Sequence, residues 1–287
     1  MKKNTKNTKK SKPSAKRPPA EKRSFERGSK ERESKYSKLD EEIAALQLEG
    51  RNAVMEALNN DTTIDKIFMK KGEIEGTLKV IAAKAREKGI IVQEVDKVKL
   101  EHMSRSNNCQ GVIAVCPAHE YCDVSDILEK AKEKGEDPFV IILDEIFDPH
   151  NLGAIIRTAE TSGAHGVIIP KRRAVGLTAI VSKTSAGAVE YVPVARVTNM
   201  AKTIEDLQKA GLWIACADMK GTDLFKADLT GPVGIVIGNE GEGVSRLVKE
   251  RCDYSVKIPM YGNIKSLNAG VAASILMYEV IRQRKYK

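Results

Sequence analysis

The sequence contains no uninterrupted run of about 18 apolar residues, so nothing in it reads as a membrane-spanning helix. No apolar stretch follows the basic start, which argues against a secretory leader. Glu21, Glu26, Glu31 and Glu33 argue against a transit peptide. Cysteine is scarce: Cys109, Cys116, Cys122, Cys216 and Cys252 are odd in number and form no CxxC pair, which suits a reducing cytoplasm better than a disulfide framework. Cys116, His119 and Cys122 have ligand-like spacing, but a zinc site takes about four ligands and no second pair stands nearby. HExxH is absent as well, and no metal is expected. Neither GxGxxG nor GK[ST] occurs, so a Rossmann dinucleotide or a nucleoside triphosphate is not the expected ligand.

Net positive charge is also missing from most of the chain. The net charge is +9 over 287 residues, yet residues 1–40 carry 15 Lys/Arg against 5 Asp/Glu, which leaves the remainder at −1. The basic stretch is rich in Lys, Ser, Asn and Pro and nearly devoid of large apolar side chains. Such a segment buries too little surface to offset chain entropy, so residues 1–42 read as a disordered tail. Two roles stay open for it: a solubilising appendage, or an arm that neutralises nucleic-acid phosphates without reading sequence.

The length suits about two domains, and 41% apolar residues suit a packed core. Residues 43–120 alternate short elements. Ile43–Leu58 reads as a helix interrupted near Gly50, and Lys66–Met69 as a strand. Leu78–Lys88 is a helix with Leu78, Ile81, Ala82 and Ala85 on one face, and Ile90–Val92 and Gly111–Cys116 are strands. Together they predict a small α/β domain. Residues 121–137 are polar and read as a connection with a helix over Asp126–Lys134. From residue 138 the pattern changes. Strands are predicted at Phe139–Leu143, Gly166–Ile169, Val192–Val197, Leu212–Ala217, Val233–Ile237 and Val256–Ile258. Between them lie helices at Leu152–Ser162, Ala179–Ser185, Met200–Ala210, Val244–Glu250 and Leu267–Arg284. Such alternation predicts a parallel sheet with helices on both faces.

Three Gly- or Asn-rich breaks in this second region combine polar side chains with strand–helix junctions, where open α/β sheets bind ligands. The first is Asp148-Pro149-His150-Asn151-Leu152-Gly153, followed by Arg157. Asn151 reads as the helix N-cap, with Arg157 in the second turn and leaning back toward the helix start, an arrangement suited to a phosphate. The second is Gly238-Asn239-Glu240-Gly241-Glu242-Gly243, whose glycines let backbone approach a ligand and whose acid, Glu240, lies inside the turn. The third runs from Ile258-Pro259-Met260 to Ser266-Leu267-Asn268, ahead of a helix that opens on small residues. Capping explains Ser266 but leaves Asn268 without a structural task.

With these three segments in order, the chain resembles the SPOUT superfamily of RNA methyltransferases, in its SpoU/TrmH branch of 2′-O-ribose methyltransferases. Asn151, Arg157 and Glu160 look like the first motif, Gly238-Asn239-Glu240-Gly241 the second, and Ile258-Pro259-Met260 with Ser266-Leu267-Asn268 the third. Residues 43–120, with Leu48-Glu49-Gly50-Arg51-Asn52-Ala53-Val54, are similar to the family's RNA substrate-binding domain. The layout resembles the branch that methylates a guanosine ribose in 23S rRNA. What the resemblance implies is a trefoil-knotted domain over 138–287, S-adenosylmethionine as cofactor, and a cytoplasmic homodimer whose site draws on both chains. It implies catalytic roles for Asn151, Arg157, Glu240, Ser266 and Asn268, and cofactor contacts around Gly238, Ile258 and Leu267. It ranks rRNA ahead of tRNA as partner. Competing expectations are tRNA ribose methylation and a non-catalytic RNA-binding or assembly factor. One departure stands out: Cys109-Gln110-Gly111 replaces the His-Gln-Gly of many relatives.

Overall fold

The computed structural model describes residues 46–106, 108–264 and 266–286. The expected tail over residues 1–42 lies outside the described residues. So does the start of the helix expected from Ile43.

The first sheet has the order β1-β4-β2-β3. Its strands are β1 (Leu46–Glu49), β2 (Lys66–Lys70), β3 (Ile91–Val95) and β4 (Val112–Cys116). β4 runs antiparallel to both β1 and β2, while β2 and β3 are parallel. Helices α1 (Arg51–Asn59) and α2 (Thr77–Glu87) bury Val54, Leu58, Leu78 and Ile81 against it. Helix α3 (Lys97–Met103) closes a smaller core with Leu100 and Met103 on Ile113. The continuous helix expected over Ile43–Leu58 is therefore corrected: its described first part is strand β1, and Gly50, at φ 90°, separates it from α1. An L side chain strains at that φ, so the chain turns there.

Helix α4 (Val124–Glu133) leads into the second sheet. Its six strands are β5 (Phe139–Leu143), β6 (Gly166–Pro170), β7 (Val194–Val197), β8 (Trp213–Asp223), β9 (Val233–Ile237) and β10 (Tyr254–Lys257). They lie in the order β10-β8-β9-β5-β6-β7, and every pairing is parallel. β5 and β9 are central and buried at every position, as apolar runs covered on both faces should be. On one face, Ile141, Leu143 and Ile235 meet α5 (Pro149–Thr161), α6 (Ala179–Thr184) and α9 (Ala269–Lys285). On the other, Val140, Ile142 and Val236 meet α4, α7 (Met200–Lys209) and α8 (Arg246–Lys249). The expected α/β architecture, a parallel sheet with helices on both faces beside a smaller α/β unit, is the one observed.

Among the strand ends that differ from expectation are those of the paired strands β8 and β10. β8 runs to Asp223 instead of Ala217, because its polar extension pairs with β10 through Thr222 and Asp223. β10 stops at Lys257, which leaves Ile258 in the following loop. Among the described residues, no helix is long and apolar enough to cross a membrane.

Helix α9 is held at its far end. The Arg284 guanidinium donates to the carbonyls of Asp137 (3.1 Å), Pro138 (3.2 Å) and Gly231 (2.7 Å), just ahead of β5 and β9. It also lies over the Phe139 ring, 5.4 Å from its centroid.

Candidate functional site

Because all strands of the second sheet are parallel, the loops that follow them open on one side. Asp148, Gly238 and Ile258 all lie just beyond strand carboxyl ends. Asp148, not Asn151, caps α5: its carboxylate accepts from the His150 amide at 2.9 Å, and Pro149 takes the first helical position. Proline suits that position because its missing N–H needs no partner there. Asn151 therefore falls inside the first turn, 6% exposed, with its side chain free for other partners.

Those partners come from the other two breaks. Glu240 Oε1 accepts from Asn151 Nδ2 (2.9 Å), Asn268 Nδ2 (2.5 Å) and the Ala269 amide (3.1 Å). Asn268 Nδ2 also donates to Asn151 Oδ1 at 2.8 Å. Asn268 Oδ1 in turn accepts from the Val271 amide at 3.2 Å, so Asn268 is the N-cap of α9. This reverses the expectation for the third segment, where Ser266 was the capping residue. Ser266 lies instead in the exposed loop before the helix and makes no hydrogen bond to the described residues.

The Gly238 break is a tight closed turn. Asn239 and Gly243 exchange backbone hydrogen bonds of 3.0 and 2.8 Å. A Cβ on Gly238 would lie 2.1 Å from the Gly243 carbonyl carbon, a position only glycine can fill. The Asn239 side chain braces the turn, accepting from the Gly241 amide (2.8 Å) and donating to the Glu145 carbonyl (3.2 Å). Buried Asp144 accepts from the Ser245 amide at 2.7 Å. Sequence reasoning assigned no task to Asn239, Asp144 or Glu145. The available signal was an acidic pair directly after the wholly apolar strand β5.

Arg157 stands apart from this cluster. The earlier start of α5 puts it in the third turn, where it is exposed and makes no hydrogen bond or ion pair with the described residues. Glu240 does not orient it: among the described residues the partners of that carboxylate are Asn151, Asn268 and the Ala269 amide. Next to Arg157, α5 and α9 cross through small residues. Thr158 Oγ1 lies 3.0 Å from Ser274 Oγ, and a Cβ on Gly270 would sit 3.4 Å from that of Ala154. Ile258 and Leu267 are half-buried, one residue past β10 and two before α9.

Among the described residues, no three His, Cys, Asp or Glu side chains converge as a metal would require. A separate groove of about 950 Å³ passes Asp61, His119, Tyr121 and Glu190, and shares no residue with the cluster above.

Residues 138–278 match the family model described as "SpoU rRNA Methylase family". Residues 47–122 match the one described as "RNA 2'-O ribose methyltransferase substrate binding". A protein of Bacillus subtilis (strain 168), named for the TrmH family of tRNA/rRNA methyltransferases, is 48% identical over 236 residues, covering 82% of this chain and 94% of its own. The chain belongs to the TrmH family. A TrmH family protein of Staphylococcus saprophyticus is 49% identical over 242 residues, with 83% and 95% covered. Among solved structures, the SpoU methyltransferase AviRb of Streptomyces viridochromogenes in complex with AdoMet aligns with a TM-score of 0.52 at 25% identity, covering 84% of this chain and 90% of its own. An AdoMet-bound rRNA methyltransferase of Sinorhizobium meliloti aligns at 0.52 and 27%, with 86% and 90% covered.

Proposed function

We propose that this TrmH family member transfers a methyl group from S-adenosylmethionine to a ribose 2′-hydroxyl of RNA, in the cytoplasm, and that its substrate is a guanosine in 23S rRNA. The observation that carries the reading is the meeting of Asn151, Glu240 and Asn268 from three separate segments of the chain, with Arg157 exposed further along the Asn151 helix.

The residues fit the cofactor. Half-buried Ile258 and Leu267 offer apolar surface to an adenine, and the backbone of Gly238 and of residues 258–260 lies outside the helices and strands. Gly238, Ile258 and Leu267 would hold it, and bound there it supplies an electrophilic methyl on a sulfonium. The chain's own task is to position the hydroxyl and stabilise the alkoxide that forms as the proton leaves. A guanidinium hardly deprotonates, so Arg157 serves as a phosphate clamp and a positive field at the reacting oxygen rather than as the base. Glu240 keeps Asn151 and Asn268 in place, and Ser266 borders the ribose from the exposed loop.

The enzyme works as a homodimer. Val271 and Tyr278, 48% and 51% exposed on α9 beside the Arg157 helix, are the apolar surface that such pairing would cover. The trefoil knot of the SPOUT families is part of this reading, supported by family membership and by α9 packing against α5 and the central strands.

The test is transfer of label from tritiated S-adenosylmethionine to purified rRNA and, separately, tRNA, followed by mapping of the labelled nucleotide. Label confined to tRNA moves the substrate to tRNA. No heat of S-adenosylmethionine binding in calorimetry would leave only a non-catalytic RNA binder. Arg157→Ala is expected to lower turnover about 100-fold or more, with Arg157→Lys in between. Near-normal turnover in both removes Arg157 from the mechanism.

A further inference from the structure

Five non-glycine residues among those described hold a left-handed φ, and two of them lie against each other: Glu145 and Arg173, both at φ 57°. Bulky side chains rarely take that conformation, and holding one there costs free energy. Glu145 follows Asp144 at the carboxyl end of β5, and Arg173 is the third residue past β6. Arg173 Nη1 donates to Glu145 Oε1 at 3.1 Å, from a side chain 79% exposed to one 23% exposed. An ion pair this open to solvent contributes little stability, so it does not by itself offset two strained residues.

What the strained pair fixes is backbone. The Glu145 carbonyl accepts from Asn239 Nδ2 at 3.2 Å, and Asn239 Oδ1 accepts from the Gly241 amide at 2.8 Å. Glu145 thus supports the closed turn after β9 from the neighbouring strand's end. Its neighbours in the chain are fixed as well. The Asp144 amide donates to the Ile237 carbonyl at 2.8 Å, and the Val175 amide to the carbonyl of buried Ile146 at 2.9 Å. The loop that carries Arg173 is also tied at its start, where the Lys171 amide donates to the Val197 carbonyl (2.7 Å) and Arg196 Nη2 to the Lys171 carbonyl (3.3 Å). Arg173 therefore reaches Glu145 from a segment held at both ends. If Glu145 relaxed to a negative φ, its carbonyl would swing with the rotation, and Asn239 would lose the acceptor that braces the turn.

Building on the reading of Gly238 as a contact for S-adenosylmethionine, we infer that Arg173 and Glu145 are positioning residues for the cofactor. Arg173 holds Glu145 in its left-handed conformation, and Glu145, through Asn239, holds the turn over residues 238–243 in the form that binds S-adenosylmethionine. Both act through Asn239 rather than on the ligand. A turn set in advance avoids the cost of ordering it on binding, and strain kept by a fold at such a place marks a task beyond stability.

The test uses the full chain. Calorimetry gives the affinity for S-adenosylmethionine, transfer of tritium label gives KM for the cofactor and for the RNA, and mass spectrometry follows amide exchange over residues 238–245 of the cofactor-free protein. In Glu145→Ala, Kd and KM for S-adenosylmethionine rise about tenfold, the fold-change of a 1.4 kcal/mol loss. KM for the RNA is kept, a split that general destabilisation would not produce, and exchange over the turn speeds up. Arg173→Ala gives the same pattern at about fivefold, roughly 1 kcal/mol, and Arg173→Lys recovers part of it. Glu145→Gly recovers most of the affinity lost in Glu145→Ala, because glycine takes left-handed backbone freely. Loss of the carboxylate alone would not give that recovery. Three results would each overturn the inference while leaving the methylation reading intact: Kd and turn exchange unchanged in both alanine variants, equal losses in Glu145→Gly and Glu145→Ala, or an Arg173→Ala effect confined to RNA. If the parent neither binds S-adenosylmethionine nor transfers label, that reading falls, and the exchange arm decides the brace: faster exchange in Arg173→Ala supports it and unchanged exchange overturns it. Should Glu145→Ala lose its melting transition, Arg173→Ala carries the test, because its side chain is exposed.

Discussion

One carboxylate oxygen of Glu240 serves three donors that belong to two different helices, and this makes Glu240 an organiser of the cluster. Glu240→Ala leaves Asn151 Nδ2, Asn268 Nδ2 and the Ala269 amide without their acceptor. The expected loss is about 1–3 kcal/mol in thermal or denaturant unfolding, together with weaker S-adenosylmethionine binding. Glu240→Gln keeps an acceptor oxygen and should fall between. An unchanged melt and unchanged cofactor affinity in Glu240→Ala would deny it that role. Asn151, Glu240 and Asn268 were legible in the sequence because each sits in a Gly- or Asn-rich break, a local pattern. Their meeting was not, since it depends on contacts across 89 and 28 residues. The two misplaced caps share a cause. Several polar residues near each helix start were competent to cap, and Pro149 and Asn268 set where the helices begin.

Whole elements were easiest to recognise where burial is two-sided. β5 and β9 are uniformly apolar runs, and their expected bounds match the structure. Recognition failed where an element is short, charged or covered on one side. β1 carries Gln47 and Glu49, α3 is a single polar stretch, and the outer half of β8 is strand only because β10 pairs with it. Glu49 illustrates the loss: its partners lie more than 50 residues away. Burial pushes its pKa upward, yet the hydrogen bonds from Ser106, Arg105 and Ser104 outweigh that and hold it at about 2, against an ordinary 4.5. A carboxyl with a lowered folded pKa stabilises the fold fully above pH 4.5 and loses that contribution as pH falls toward 2. The loop over residues 104–106 should therefore stay clamped to Glu49 at neutral pH and let go only in strong acid. A carboxyl-resonance titration of Glu49 checks this, and a midpoint near 4.5 would count against the clamp.

At the scale of the molecule, the small sheet is fastened to the parallel one by a buried polar group. Asp65, beside β2, accepts from Arg196 of β7 and from the Tyr121 hydroxyl (3.3 Å), while the Arg196 guanidinium lies 5.0 Å from the Tyr121 ring centroid. Gly176 must stay small, because a Cβ there would come 2.6 Å from Asp65 Oδ2. Burial raises the Asp65 pKa despite the cation beside it, which shows how costly the charge is in this position. Arg196→Ala leaves that charge uncompensated and should destabilise by about 3–5 kcal/mol, whereas adding Asp65→Asn should recover part of the loss. Denaturant melts of the two variants check this, and additive or larger losses in the double variant would show that the pair is not a unit. The parallel sheet has a further consequence, set by helix α9. Ala273, Leu276, Met277 and Val280 complete the layer over β5 and β9, and the helix is tied down at Glu240 and Arg284. During translation those strands emerge long before their cover does. The nascent chain must therefore wait with a greasy sheet face exposed until Arg284 has left the ribosome, and in that interval a chaperone has most to shield.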